Sequence, residues 1–193
     1  SKANFDYLIL VALSSTIATL GLLSDSPAVI IGAMVVAPLM SPILAIGLAT
    51  TTGEKKLLKE ALLTLFVGAL LSIVISMILT WINDELPFIS LHQIPGEVMS
   101  RTRSSPVDLT IAIAGGLAAA YAVTRPKLSA ALPGVAIATA LMPPVCTVGI
   151  GLALQNWQVA SGAGLLFVTN AVAIAFASGL VFLARGFSKE QRF

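Results

Sequence analysis

Four prolines stand where proline is costly. Pro38 and Pro42 lie inside one long apolar run, and Pro143 and Pro144 inside another. Proline has no N–H, and its ring clashes with the carbonyl four residues back. In a helix, Pro38 frees the carbonyl of Met34, Pro42 weakens the turn at Pro38, and Pro143 and Pro144 free those of Thr139 and Ala140. An unpaired carbonyl in hydrocarbon must find a donor in a side chain, a neighbouring helix, water, or a passing solute or ion. Donors are close by: Ser41 and Thr147 each follow a break proline by three residues, and Thr139 sits at a freed turn. Half-helix ends carry partial charges, positive at the N-terminus and negative at the C-terminus. Two facing breaks can therefore hold a small anion or coordinate Na⁺ without a charged side chain. The candidate pathway is Pro38, Ser41, Pro42, Thr139, Pro143, Pro144, Cys146, Thr147 and Asn170.

Asn170 is an amide in the middle of an apolar run, and it needs partners. One reading places it on the pathway. The other makes it an interhelical hydrogen bond, on average about 0.6 kcal/mol in a membrane. For Ser14, Ser15, Thr16, Thr64, Ser72, Ser76 and Thr169 the expected role is local, because such hydroxyls bond back to their own helix.

The elements that must position these residues are membrane spans. Of 193 residues, 57% are hydrophobic and 10% charged, with a mean hydropathy of +0.97. Soluble domains are roughly a quarter charged. A soluble globular protein, a disordered chain and a disulfide scaffold are excluded, and the single Cys146 has no internal partner. A crossing needs about 20 apolar residues. Six stretches qualify, near 5–23, 27–51, 61–82, 106–124, 132–154 and 158–184. The first has no cleavage site before Asp25 and is not a signal peptide. The chain begins at Ser1 without Met, and a soluble domain upstream is one expectation. Helix starts are expected at Ser24-Asp25-Ser26-Pro27 and at the capping box Ser105 to Asp108.

Lysine and arginine collect on the cytoplasmic side of short loops. Six crossings with the N-terminus inside place nine of them inside (Lys2, Lys55, Lys56, Lys59, Arg125, Lys127, Arg185, Lys189, Arg192) and only Arg101 and Arg103 outside. Treating the proline-bearing segments as re-entrant gives six against five, which is no bias. Both termini are therefore expected to be cytoplasmic. The net charge of +2 follows from topology, and no nucleic-acid partner is implied. The organisation expected is a first three-helix repeat over 1–83, an extracytoplasmic loop over 84–105 and a second repeat over 106–193. His92 in that loop is read as solvated, with pH sensing the alternative.

Shifting the chain by 106 aligns Pro27 with Pro133, Pro38 with Pro144, Ser41 with Thr147, and Thr64 with Asn170. Three spans per copy is an odd number, so the copies are inverted, a common plan among secondary transporters. The alternative is a packing kink that occurs twice. The fold class expected is all-α: a polytopic membrane protein of six transmembrane helices in two inverted three-helix repeats, helices two and five broken by proline. Small residues four apart, Ala112-Gly116-Ala120 and Ala171-Ala175-Gly179, permit close helix contact within the bundle or between subunits. A homo-oligomer is expected, because six helices make a thin wall around a pathway.

No metalloprotease, phosphate-loop, paired-cysteine or Ser/His/Asp signature is present, so no enzyme, cofactor or metal is expected. No ionisable group lies deep in a span, which disfavours proton coupling through a buried carboxylate. The runs IGAMVVAPLMSP (31–42), LPGVAIATALMPP (132–144) and LFVTN (166–170) resemble the hallmarks of a prokaryotic membrane family catalogued as domain of unknown function 389. The resemblance implies a bacterial or archaeal cytoplasmic-membrane protein, often with a soluble N-terminal domain, and it carries no substrate or residue role. The expected function is transport of a small ion or solute through a site at the paired breaks, in a lipid bilayer. The alternatives are a channel constricted there, or a membrane anchor or signalling unit for a soluble domain.

Overall fold

The computed structural model describes residues 5–86, 89, 93–125 and 131–187, without the side chains of 131–136. The expectations for His92, Lys2, Lys127, Lys189 and Arg192 concern positions outside these. The described residues form helices and no strand: α1 (Phe5–Leu23), α2 (Pro27–Val36), α3 (Met40–Thr52), α4 (Lys55–Glu85), α5 (Gly96–Ser100), α6 (Pro106–Val123), α7 (Ala131–Ala153) and α8 (Trp157–Ala184).

This is a membrane protein by helix length and composition. Among the described residues four helices, α1, α4, α6 and α8, are long and apolar enough to cross a bilayer, and the bent pair α2–α3 makes a fifth candidate. The described apolar part of α7, Ile137–Ala153, is shorter. At 31 residues, α4 extends about 46 Å, more than a hydrocarbon core of about 30 Å. Its surplus carries Lys55, Lys56 and Lys59 at one end and Asp84 and Glu85 at the other.

The prolines act differently in the two segments. Ala37, just before Pro38, is extended at φ −66° and ψ 119°, and α2 meets α3 at 58°. This is the steric effect of a proline on its predecessor added to the lost bond at Met34. Pro42 does not weaken the junction as expected. It falls in the first turn of α3, where an N–H has no helical acceptor and none is lost. Nor is the fifth segment interrupted: α7 runs through Pro143 and Pro144 as one helix.

The helix starts carry a further difference. Ser105 and Asp108 form the expected capping box. Ser26 caps α2 without a side-chain bond. Asp25, left-handed at φ 53°, instead accepts the N–H of Glu97 at 2.7 Å, tying the α1–α2 turn to α5.

α7 is the centre of the bundle, touching α1, α2, α4, α6 and α8. Side-by-side pairs set the directions. α1 and α4 run together, with Tyr7 at Thr64, Ser15 at Ser72 and Thr19 at Ser76. α6 and α8 run together, and a methyl group on Gly116 would come within 2.8 Å of the Ile174 carbonyl. The small residues of α6 are thus spent on packing inside the bundle. α3 also follows α8, with Gly47 on Ala175 and Thr51 beside Gly179. One end of the bundle therefore holds the α1–α2 turn, α5, Ser105 and the α7–α8 turn. The other holds the α3–α4 turn and the last turns of α6 and α8, where Arg125 and Arg185 stack on Tyr121 at 5.6 and 4.9 Å. Such an aromatic and arginine cluster suits a membrane–water boundary.

Candidate functional site

The freed carbonyl of Ala140 has found its donor. Asn170, midway along α8 and only 2% exposed, gives its Nδ2 to that oxygen at 2.9 Å. This bond explains how α7 stays continuous through Pro144: the amide replaces the missing N–H. It also fixes the orientation of the side chain, because only nitrogen can donate to a carbonyl. Oδ1 is therefore turned elsewhere, and among the described residues it is buried without a partner.

Asn170 lines a small cavity of about 50 Å³ with Arg101, Asp108, Ile111, Thr139, Ala140, Pro144 and Leu166. Roughly 10–15 Å³ admits one water, so the space suits a few waters or one small solute. Its walls come from α6, α7, α8 and the segment after α5. Arg101 brings a second orphan: its Nε is buried and, among the described residues, has no partner, while its Nη2 reaches Glu97 at 3.4 Å. Asp108 is held rigidly, with Oδ2 accepting the N–H and hydroxyl of Ser105 at 3.1 and 2.6 Å.

A second polar region lies between α1, α4 and α7. Ser15 donates to Ser72 at 2.9 Å, and the hydroxyls of Thr19 and Ser76 are 2.7 Å apart. Hydroxyls of this group also bond back into their own helices, as with Thr19 to the Ser15 carbonyl and Ser72 to the Gly68 carbonyl. They serve both as local bonds and as links between helices. Cys146 is fully buried against this group, its Sγ 3.9 Å from the Ser15 carbonyl. Thr147 beside it is also fully buried, and its hydroxyl has no partner among the described residues.

The expected site residues therefore fall into three places. Thr139, Pro144 and Asn170 share the cavity. Pro143, Cys146 and Thr147 are buried in the middle of α7. Pro38, Ser41 and Pro42 lie at the α2–α3 junction, where Ser41 is exposed and Pro42 buried. Arg101 and Asp108 escaped the sequence reading of the site, which treated one as a loop charge and the other as a cap. Both treatments were sound locally. Their joint placement depends on contacts across some 60 residues of chain.

The sequence profile of the family described as "Domain of unknown function (DUF389)" matches residues 34–176. A protein of Methanocaldococcus jannaschii, described as uncharacterized, is 31% identical over 188 residues, 97% of this chain. The chain spans 56% of that relative's length. No solved structure matches.

Proposed function

This chain belongs to the DUF389 family, and from that premise we propose that it is a small transporter, moving an ion or solute across the cytoplasmic membrane of a prokaryote. The observation that carries the reading is the Asn170–Ala140 bond at the wall of a polar cavity, midway along two helices. Asn170 spends its donor on the helix and, among the described residues, leaves its acceptor unpaired at the cavity. Buried orphans of this kind are rare and call for an explanation. The reading has no catalytic step, and an enzyme is not proposed.

We further propose six crossings in two inverted repeats, with both termini cytoplasmic. Corresponding turns support this. Glu54 donates to the Ala49 carbonyl after the left-handed Gly53, and Asn156 to the Gly151 carbonyl after the left-handed Gln155. These two turns are 102 residues apart, as are the starts of α4 and α8 at Lys55 and Trp157. The helix contacts correspond as well: α1 with α4 and α6 with α8, then α4 with α7 and α8 with α3. The offset of 106 at Pro27 falls to 102 beyond the prolines. The difference of four residues, about one turn, is taken up where Ala37–Leu39 leaves the helix. In that register the partner of Pro144 is Pro42 rather than Pro38. A homo-oligomer in the bilayer remains part of the proposal.

The test is flux through purified protein in liposomes, with ions and small neutral solutes offered in turn. Transport lost on Asn170→Ala, in protein that still elutes as the wild type does, supports the reading. No flux of any solute or ion through well-reconstituted protein overturns it.

A further inference from the structure

We propose that the Asn170 cavity is a binding site for a small uncharged solute of the amide class, entered from the end of the bundle that carries α5. The proposal rests on the transport reading above and names its substrate class.

The walls specify the ligand. Arg101 Nε–H needs an acceptor, and Asn170 Oδ1 needs a donor. Both residues line the same space of about 50 Å³. A solute that satisfies both presents a carbonyl oxygen and an N–H on one small planar group. Charge argues for neutrality. Asp108 lines the cavity, and Glu97 sits beside Arg101 at 3.4 Å. An anion would face the Asp108 carboxylate and the Asn170 oxygen together, while a cation would face the guanidinium. A neutral amide meets neither repulsion, and the cost of burying its polar groups is offset because both are paired. The size excludes larger metabolites, since the space holds only a few non-hydrogen atoms.

Direction comes from the other half of the molecule. Asp108 and Asn170 stand 101 and 102 residues after Tyr7 and Gly68. Between α1 and α4 the equivalent space is filled: the Tyr7 hydroxyl donates to the Thr64 carbonyl at 3.2 Å, and its ring lies against Gly68. One half is plugged by an aromatic side chain, and the other keeps a cavity whose outermost wall is Arg101. The structure is thus closed toward the α1 start and receptive toward α5.

The test uses the full chain in proteoliposomes, with urea and acetamide as probes and stopped-flow light scattering as the readout. Sodium formate, ammonium chloride and an impermeant sugar gradient are run beside them. Urea or acetamide should equilibrate at least ten-fold faster than in protein-free liposomes, and Asn170→Ala should remove most of that gain. Arg101→Lys provides a second variant, outside the apolar core. It keeps the charge, loses the Nε donor, and should slow both probes at least five-fold. An unchanged rate in Arg101→Lys overturns the assignment. So does movement of formate or ammonium without urea or acetamide, or passage of water alone; the first of these leaves transport standing with a charged substrate. If neither ions nor neutral solutes move, the transport reading itself fails, and this assignment with it.

Discussion

Asn170 and Ala140 are 30 residues apart in the chain, and the amide nitrogen of one lies 2.9 Å from the carbonyl oxygen of the other. Ala140 stands four residues before Pro144, the position whose carbonyl a proline leaves unpaired. A side chain from α8 therefore completes the backbone of α7. The proline and the asparagine form one unit, and removing either alone should have a different effect from removing both.

That unit gives the first prediction. Asn170→Ala leaves the Ala140 carbonyl buried and unpaired, at a cost of about 1–3 kcal/mol. Pro144→Ala restores an N–H able to reach that carbonyl. In the Pro144→Ala background, the further change Asn170→Ala should cost less than half as much. Thermal unfolding of the four proteins in detergent measures the coupling as a double-mutant cycle. Additive losses would show that the amide and the proline act independently.

The second prediction concerns access. Thr139 lines the cavity, whereas Cys146, two turns further along α7, is fully buried beside Ser15. A membrane-impermeant thiol reagent should leave native Cys146 unmodified from either side of sealed vesicles. Thr139→Cys, in a Cys146→Ser background, should react from the side carrying α5 and be protected on the other. Labelling of Cys146 in folded protein would place water between α1, α4 and α7, among side chains that are fully buried in this bundle.

How far the sequence foretold this site depends on the range of each interaction. The capping box of Ser105 and Asp108 spans three residues and was legible, as was the cost of each proline to its own turn. Asn170 stood out because an amide amid apolar residues demands a partner, but nothing in its neighbourhood named Ala140. Pro42 was misread because its effect depends on its position in the helix. In a first turn the missing N–H costs nothing, and that position was set by the opening at Ala37. Arg101 looked like an exterior charge, because only the folded chain places it on the same cavity as Asn170. The hydroxyls of α1 and α4 were read as local. For Ser15, Thr19, Ser72 and Ser76 the structure adds a contact across the helices, such as Ser15 to Ser72.

Glycines supply a third prediction by contrast. A methyl group on Gly149 would sit 2.7 Å from Ser76 Cβ and 3.1 Å from Met77 N, both firmly placed in α4. Gly32, on the exposed face of α2, has nothing within 4 Å of the same position. Gly149→Ala should therefore cost about 1–3 kcal/mol by forcing α4 and α7 apart. Gly32→Ala should cost nothing, or gain a little from helix propensity. Unfolding midpoints in detergent decide it. Equal losses at the two positions would mean that α4 and α7 are not in close contact.

Tyr7 carries the last prediction, because under the proposed repeat it occupies in one half of the bundle the place that is hollow in the other. Its hydroxyl makes a single bond, to the Thr64 carbonyl, and its ring fills the groove over Gly68. Tyr7→Phe removes the bond but keeps the ring, and should leave stability within about 1 kcal/mol of the wild type. Tyr7→Ala removes the ring. Full burial of an aromatic is worth about 3–5 kcal/mol on truncation, and Tyr7 is only partly buried, so a smaller loss is expected. The informative measurement is accessibility. With Tyr7 intact, Thr64→Cys in a Cys146→Ser background should resist an impermeant thiol reagent added from the side of the α1 start. With Tyr7→Ala added it should react at least ten-fold faster. If Tyr7 is a plug, the phenylalanine variant will behave as the wild type and the alanine variant as an opened groove. Equal protection in all three would make the ring ordinary packing, and the closure of this half would need another cause.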